Sequence, residues 1–166
     1  MESFESVSPV NGETIYTTPA FDAAEVERRL ARAGEAARRW PASTIDERAE
    51  LLRAAARLLR ERRGELARLA AEEMGKPVTQ GRAEVEKCAL VCDHYAEHGP
   101  GDLADEPVAT DAAGSSVVYQ PLGTVLGIMP WNFPFWQVFR YAAPSVIAGN
   151  TCLLKHASNV SRCALA

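Results

Sequence analysis

The chain has 166 residues, of which 47% are hydrophobic and 24% charged, and its formal net charge is −4 at pH 7. This length and composition predict one globular domain with a sizeable core. The mild negative charge argues against a nucleic-acid partner, and no apolar stretch is long enough to cross a membrane. The acidic N-terminus shows no pattern of a secretory signal, which favours a cytoplasmic location.

The first 101 residues predict a short hairpin followed by three helices. Asn11-Gly12 lies where a tight turn would join two short strands. Asp22 with Glu25, and later Thr44 with Glu47, match the capping-box pattern, in which two side chains satisfy free backbone N–H groups at a helix start. These signals place the start of the first helix after Asp22 and the start of the second after Thr44.

Strong stop signals end the second and third helices. Gly75 followed by Pro77 predicts the end of a second helix that runs unbroken over residues 44–74. Apolar residues at helical spacing predict the third helix over about residues 79–98. Gly99-Pro100-Gly101 is then expected to terminate it.

Cys88, Cys92, His94 and His98 look like a metal-binding cluster in the linear sequence. On a helix, at about 100° per residue, the cysteines and the histidines point to roughly opposite sides. We therefore predict buried thiols and surface imidazoles, and no metal site. No cysteine pair has the C-x-x-C spacing of a redox or zinc motif, and none of the chain's four cysteines is predicted to be a catalytic nucleophile.

Residues 102–120 predict an antiparallel hairpin. The sequence alternates loosely there on either side of a turn at residues 111–114. We therefore separate this segment from residues 1–101, the helical part, and from residues 121–166.

The last part of the chain predicts a βαβ unit. A buried strand over residues 123–129, a helix over about 135–148 and a strand over 151–155 have the spacing of two parallel strands joined by a crossover helix. A further helix begins at Ser158 or Asn159. Two parallel strands alone have unpaired edges and bare faces, so we expect the rest of this sheet to be missing from the chain.

Three positions in this unit have ligand-binding chemistry. Asn132, in the proline-bounded loop after the first strand, could donate its amide hydrogens to a developing oxyanion or could simply cap its own turn. Lys155, at the carboxyl end of the second strand, either bonds the hydroxyls or phosphates of a ligand or is merely exposed. Arg140 shares a helix face with Phe133 and Gln137, where a guanidinium suits carboxylate capture, although a structural ion pair is the alternative.

Together with the N-terminal part, these segments resemble the NAD(P)-dependent aldehyde dehydrogenase superfamily. The resemblance is carried by Pro130-Trp131-Asn132-Phe133-Pro134, by Ala148-Gly149-Asn150-Thr151 with the following Lys155, by the turn Pro9-Val10-Asn11-Gly12-Glu13, and by Glu73-Met74-Gly75-Lys76-Pro77 with Glu84-Val85. It covers essentially the whole chain and implies an α/β fold, the N-terminal portion of that family's structure. This portion is an incomplete Rossmann-like cofactor domain with N-terminal helices and, at residues 102–120, part of an oligomerisation hairpin. The complete enzyme is expected to be a homo-oligomer.

The resemblance also implies roles for individual residues. The amide of Asn132 would hold the oxyanion of a thiohemiacetal, and Lys155 would bond the adenine ribose of NAD or NADP. The cofactor cleft would be lined by Ile128, Met129, Pro130 and Trp131. Ser158 stands where the family often has a glutamate that repels a 2′-phosphate, so NADP is expected to be tolerated alongside NAD.

Arg140 suggests the substrate. In the succinate-semialdehyde dehydrogenases of this family, an arginine at the matching position helps to grip the substrate's carboxylate. The chain looks most like bacterial and archaeal members of that subgroup, which implies a small aldehyde acid as substrate. Phe133 and Gln137, on the same helix face, belong to the predicted substrate site.

Two hypotheses about function follow. The nucleophilic cysteine, the general-base glutamate and the glycine-rich cofactor turn of complete family members have no counterpart in this chain. The first hypothesis is therefore the N-terminal part of an aldehyde dehydrogenase, inactive by itself. The alternative is a non-catalytic module that binds nucleotide weakly or pairs with a related subunit through its hairpin.

Overall fold

A computed structural model describes residues 3–166 as an α/β structure with three two-stranded sheets and six α-helices. The elements in chain order are β1 (Ser3–Val7), β2 (Thr14–Pro19), α1 (Ala23–Arg39), α2 (Ile45–Glu61), α3 (Arg63–Met74), α4 (Val78–Asp102), β3 (Glu106–Pro107), β4 (Ser116–Val117), β5 (Thr124–Ile128), α5 (Trp136–Ile147), β6 (Thr151–Lys155) and α6 (Ser161–Leu165). Short 3-10 turns occupy Trp40–Ala42 and Ser158–Val160. Across the described residues, no helix is both long enough and apolar enough to span a bilayer.

The predicted N-terminal hairpin is confirmed. Strands β1 and β2 pair antiparallel, and the turn between them contains Gly12 at a φ of 75°, in the left-handed region that favours glycine. The hydroxyl of Ser6 is fully buried and donates to the carboxylate of Glu73, at 2.6 Å. This bond holds the hairpin against α3.

The two predicted capping boxes differ in the structure. At the start of α2 the box is complete, because Thr44 and Glu47 each bond the other's backbone N–H. At the start of α1 only the Asp22 half is present, since its carboxylate accepts from the N–H of Glu25 at 2.7 Å. The carboxylate of Glu25 is taken instead by the guanidinium groups of Arg28 and Arg29.

The prediction of one helix over residues 44–74 is wrong, because the chain bends at Arg62 between α2 and α3. Gly64 follows the bend by two residues, and glycine has the weakest helix propensity after proline. It brings Leu59 of α2 and Leu66 of α3, both buried, into the same core cluster. The predicted stop after α3 is confirmed, with Gly75 in the left-handed conformation at φ 72°.

The prediction that Gly99-Pro100-Gly101 ends the third helix is also wrong, because α4 continues to Asp102 with Pro100 inside it. A proline has no N–H to give to the carbonyl four residues earlier, here that of Ala96. The guanidinium of Arg53 on α2 donates to this carbonyl instead, at 3.1 Å. A bond from a neighbouring helix therefore replaces the missing bond within α4.

The predicted parallel pair is confirmed. Strands β5 and β6 run parallel, and α5 connects them and covers one face of the sheet. Gly127 allows the close approach of α5, because a Cβ atom at this position would lie 2.4 Å from the ring of Tyr141. The Tyr141 hydroxyl reaches across to donate to the carbonyl of Leu153, at 2.9 Å. On the opposite face Leu126 and Ile128 are 60% and 70% exposed.

The main core lies among α2, α3, α4 and α5. Cys88 and Cys92 of α4 are fully buried within it, whereas His94 and His98 are exposed, as the helical spacing predicted. The antiparallel hairpin of β3 and β4 is also confirmed, although each strand has only two residues.

Candidate functional site

The two loops that carry the predicted site residues leave the same end of the parallel sheet. Ile128, the last residue of β5, lies opposite Lys155, the last residue of β6. One residue further, the N–H of Met129 donates to the carbonyl of Lys155, at 3.0 Å. In parallel sheets this carboxyl edge is where ligands bind.

A histidine joins the two loops directly. The Nε2 of His156 is 2.7 Å from the carbonyl of Pro134, and its Nδ1 accepts from the N–H of Ala157, at 2.8 Å. A neutral imidazole with its proton on Nε2 satisfies both bonds. The loop that carries Asn132 is therefore tied to the loop that carries Ser158.

A buried ion pair contacts the backbone of the Asn132 loop and holds it in place. Lys76, directly after α3, forms a salt bridge with Glu84 of α4, and the two side chains are only 6% and 2% exposed. The Lys76 ammonium also donates to the carbonyl of Asn132, at 3.0 Å, and lies 4.0 Å from the ring centroid of Phe133. The ammonium therefore contacts Glu84, the backbone of Asn132 and the ring of Phe133.

Glu84 also caps the N-terminus of α5. Its Oε1 accepts from the N–H groups of Phe135 and Trp136, at 2.9 and 3.0 Å, and a negative charge is favourable at a helix N-terminus. The N-cap residue, Phe135, has no side chain that could do this. Removing one partner of a buried pair such as Lys76–Glu84 typically costs about 3–5 kcal/mol.

Glu73 caps the start of the next helix, α6, in the same way. Its Oε1 accepts from the N–H of Arg162, at 2.8 Å, and its Oε2 accepts from the N–H of Cys163, at 2.7 Å. These amides belong to the first turn of α6, directly after the turn that contains Ser158. Two buried glutamates on either side of the α3–α4 junction therefore hold both loops of the sheet's carboxyl edge.

The supporting roles of Glu73, Lys76 and Glu84 were not predicted from the sequence. In the sequence, these residues stand out only as part of the family resemblance. A detectable signal exists, because each glutamate has apolar or small neighbours three or four residues away on its helix, such as Ala70 for Glu73 and Cys88 for Glu84. A carboxylate on a buried helix face needs hydrogen-bond partners from elsewhere in the fold.

The predicted cofactor residues of the first loop are mostly accessible. Ile128, Pro130 and Trp131 are exposed and Met129 is partly buried. Asn132 is exposed as well, with its backbone fixed by Lys76. Its side chain is therefore on the surface of an anchored loop.

Lys155 and Ser158 border one groove of about 390 Å³ between β6, α6 and the N-terminal hairpin. Among residues 3–166, the lining includes Arg29, whose guanidinium is paired with Glu25, and no acidic side chain. Asn132 does not line this groove. The structure thus brings Lys155 and Ser158 together, and connects the Asn132 loop to them through the His156 bond.

The three predicted substrate residues do not form one cluster: Arg140 and Gln137 contact each other, whereas Phe133 contacts Lys76. Arg140 is exposed, and its Nη1 donates weakly to Oε1 of Gln137, at 3.4 Å. The ring of Phe133 instead faces the ammonium of Lys76. The guanidinium of Arg140 is therefore accessible to an incoming carboxylate.

The four cysteine thiols are poor nucleophiles in this structure. Burial raises the pKa of Cys88, Cys152 and Cys163, and it raises the pKa of Cys92 to about 12. Because the thiolate is the reactive form, a raised pKa leaves each thiol protonated at neutral pH. That none of them is catalytic stays a prediction, which the burial of these thiols supports.

Comparisons with known proteins identify the family. The model of the aldehyde dehydrogenase family matches residues 1–166. A relative from Synechocystis sp., named probable succinate-semialdehyde dehydrogenase (NADP+), is 51% identical over 161 residues, which are 97% of this chain and 36% of that protein. A succinate semialdehyde dehydrogenase (NAD(P)+) from Escherichia coli K12 is 48% identical over 96% of this chain and 34% of its own length.

A solved structure agrees with this match. Succinic semialdehyde dehydrogenase from Streptococcus pyogenes, in complex with NADP+ as the cofactor, superposes with a TM-score of 0.94 and 32% identity. The match covers 98% of this chain and 36% of that one. The chain therefore spans about a third of the length of the relatives that it matches. From the extent of these matches we conclude that the chain belongs to the aldehyde dehydrogenase family.

Proposed function

We propose that this chain supplies the oxyanion loop and the ribose-binding loop of an aldehyde dehydrogenase that oxidises succinate semialdehyde with NADP or NAD. The observation that carries the proposal is the common end of β5 and β6. Ile128 and Lys155 lie opposite each other, and the two following loops are joined through His156. The loop amide and the lysine therefore leave the same edge of the sheet.

Asn132 is the oxyanion donor in this proposal. Its side-chain amide is exposed while its backbone carbonyl is held by Lys76, so the donor is presented on a fixed loop. A preorganised donor of this kind stabilises negative charge on an aldehyde oxygen under attack. The attacking thiolate and the water-activating base are not among the groups that this chain provides, and we propose that the chain alone is inactive.

The groove at Lys155 has the charge that a phosphorylated ribose requires. Lys155 can bond ribose hydroxyls, and the Ser158 hydroxyl can bond a 2′-phosphate without the repulsion that a carboxylate would cause. Arg29, which is paired with Glu25, adds a second group of N–H donors to the lining. Bound NAD or NADP would accept a hydride from the substrate, while Ile128, Met129, Pro130 and Trp131 would form the wall against which it lies.

Arg140 is proposed to select the substrate. An exposed guanidinium on α5, with Gln137 beside it, suits the distal carboxylate of succinate semialdehyde. Phe133 would pack against the carbon chain between the aldehyde and the carboxylate.

A chimaeric enzyme tests the proposal. Residues 1–166 are joined to the remaining two thirds of the Synechocystis relative, and reduction of NADP is followed with succinate semialdehyde. We expect aldehyde-dependent activity in the chimaera and none in the 166-residue chain alone. A folded but inactive chimaera would contradict the proposed role, and aldehyde oxidation by the chain alone would contradict the proposed inactivity.

The alternative, a non-catalytic module that pairs with a related subunit, has one observation in its favour. Val108, Val117, Val118 and Tyr119 of the hairpin are between 44% and 53% exposed, an apolar surface that suits a partner. This alternative predicts a stable complex with the relative's subunit and no activity in the chimaera.

A further inference from the structure

We propose that the junction of α3 and α4 positions both loops of the proposed active site. In this arrangement, Lys76 and Glu84 set the Asn132 loop, and Glu73 sets the loop of Ser158. The inference rests on the proposed function and assigns positioning residues to it.

The Asn132 loop is held at both of its ends. Lys76 donates to the carbonyl of Asn132 itself, and Glu84 accepts from the N–H groups of Phe135 and Trp136. The four residues from Asn132 to Phe135 therefore lie between two anchors that are themselves joined by a salt bridge. Lys76 contacts the carbonyl of Asn132 and the ring of Phe133, and Glu84 contacts two backbone N–H groups, so the side-chain amide of Asn132 stays available to a ligand.

The Ser158 loop is held by one anchor of the same kind. Glu73 accepts from the N–H groups of Arg162 and Cys163, and the hydroxyl of Ser161 in between donates to the carbonyl of Ser158, at 2.6 Å. A shift of Glu73 would therefore move the start of α6 and, with it, the turn that contains Ser158.

A purely stabilising role does not account for these contacts. A helix start is usually capped by a serine, threonine, asparagine or aspartate at the N-cap itself, whereas α5 and α6 have Phe135 and Val160 there. A buried ion pair is also an inefficient way to gain stability, since apolar side chains of similar size often do as well. What the distant carboxylates add is a fixed position of each loop relative to α3 and α4.

The test uses the chimaera described above, with two changes that remove charge but keep size. Lys76→Met with Glu84→Gln replaces the ion pair by neutral groups, and the new amide oxygen still accepts from Phe135 and Trp136. Glu73→Gln is the comparison variant, at an equally buried glutamate that does not touch the Asn132 loop. Its two helix amides bond different oxygens, so the new amide nitrogen cannot accept from one of them. Each is made with and without Asn132→Ala, and kcat and the KM for NADP are measured for every variant.

We expect the neutral pair to lower kcat by about tenfold or more while the KM for NADP changes by less than about twofold. In the Asn132→Ala background the same pair should change kcat by less than about twofold, because a residue that acts through Asn132 has nothing left to position. Glu73→Gln should have the opposite effect on the two parameters: the KM for NADP rises by about fivefold and kcat stays nearly unchanged.

Other results would overturn the inference. Losses in kcat that multiply in the Asn132→Ala background, or equal changes from the Glu84 and Glu73 variants, would indicate a general effect on folding. If the double variant melts below the assay temperature, Glu84→Gln alone must show the same kcat-selective loss, and its absence would also overturn the proposal. An inactive unsubstituted chimaera refutes the proposed function instead, which keeps the two failures distinguishable.

Discussion

Arg140 is the residue on which the proposed choice of substrate depends. Its guanidinium is exposed on α5 and makes only a long bond, 3.4 Å, to the Gln137 side chain. An arginine with so weak a partner gains most from an incoming carboxylate, since that bond is charged on both sides.

We therefore expect Arg140→Met in the chimaera to lower kcat/KM for succinate semialdehyde by about tenfold to a hundredfold, the value of a charged hydrogen bond. The value for butanal, which has the same chain length without the carboxylate, should stay within about twofold. Arg57→Met, at an exposed arginine of α2, is the matched control. Equal losses for both aldehydes would assign Arg140 a structural role.

Cys92 gives the chain a stability that depends on pH. Its folded pKa is about 12, raised from 9.0 by burial first and by the charge of Asp93 second. Between these two values the unfolded chain has lost the thiol proton and the folded chain keeps it. Stability is therefore unaffected by this thiol below pH 9 and falls as the pH rises towards 12.

The decrease from one such thiol is at most about 1.4 kcal/mol for each pH unit. Urea unfolding between pH 8 and about pH 10.5 would measure it. We expect Cys92→Ala to show a shallower loss of unfolding free energy above pH 9 than the unsubstituted chain. Parallel curves for the two proteins would show that Cys92 ionises equally in both states.

Among the elements, α4 shows most clearly how tertiary contacts override local signals. Gly99 and Pro100 together form a strong stop signal, yet the helix continues past them. Arg53 takes the carbonyl that Pro100 leaves free, and Ile147 of α5 fills the space beside Gly99. Neither contact can be inferred from the spacing of residues within α4.

Two glycine substitutions separate packing from helix propensity. We expect Gly34→Ala in α1, where an added Cβ meets nothing within 4 Å, to raise the unfolding free energy by about 1 kcal/mol. Gly99→Ala gains the same propensity but places its Cβ 2.6 Å from Cγ1 of buried Ile147, so a net loss of about 1–3 kcal/mol is expected. Thermal or urea unfolding of both variants measures the difference. A stabilising Gly99→Ala would mean that α4 and α5 pack less closely than described.

The contrast between local signals and tertiary contacts explains what could be predicted from the sequence. The β5–α5–β6 unit was predicted with nearly correct bounds, because period, length and turn residues agree within a short segment. The Asn132 loop was predicted to be functional because prolines and large aromatic residues surround a single asparagine there. The contacts of Glu73 and Glu84 could not be predicted, since their partners lie 89 and 51 residues away, at Arg162 and Phe135.

At the scale of the whole molecule, the parallel sheet is covered unequally. Helix α5 lies on one face, and the other face presents Leu126 and Ile128 with more than half of their surfaces exposed. Within residues 3–166, β5 and β6 pair only with each other, so backbone groups on both outer edges are available for pairing. Exposed apolar strands with free edges favour self-association.

We expect the 166-residue chain to self-associate and to bind the apolar dye ANS, and Leu126→Lys to reduce both. Leu51→Lys on α2 is the control, because Leu51 is 50% exposed, comparable to 60% for Leu126, but belongs to a helix without free edges. Light scattering and dye fluorescence of the three proteins provide the measurement. Equal effects of the two lysines would attribute the association to general surface hydrophobicity and not to the sheet.

The carboxylate of Glu84 at the start of α5 has a further consequence for how a dinucleotide can lie on this sheet. In many dinucleotide-binding folds, the pyrophosphate rests on the first helix of the βαβ unit and uses its free amides and its dipole. Here those amides are already bonded to the carboxylate of Glu84, which is itself paired with Lys76, so they are not free to bind a phosphate. A cofactor bound as proposed would therefore have its bridging phosphates neutralised away from this helix, and its nucleotide would follow a different path across the strands.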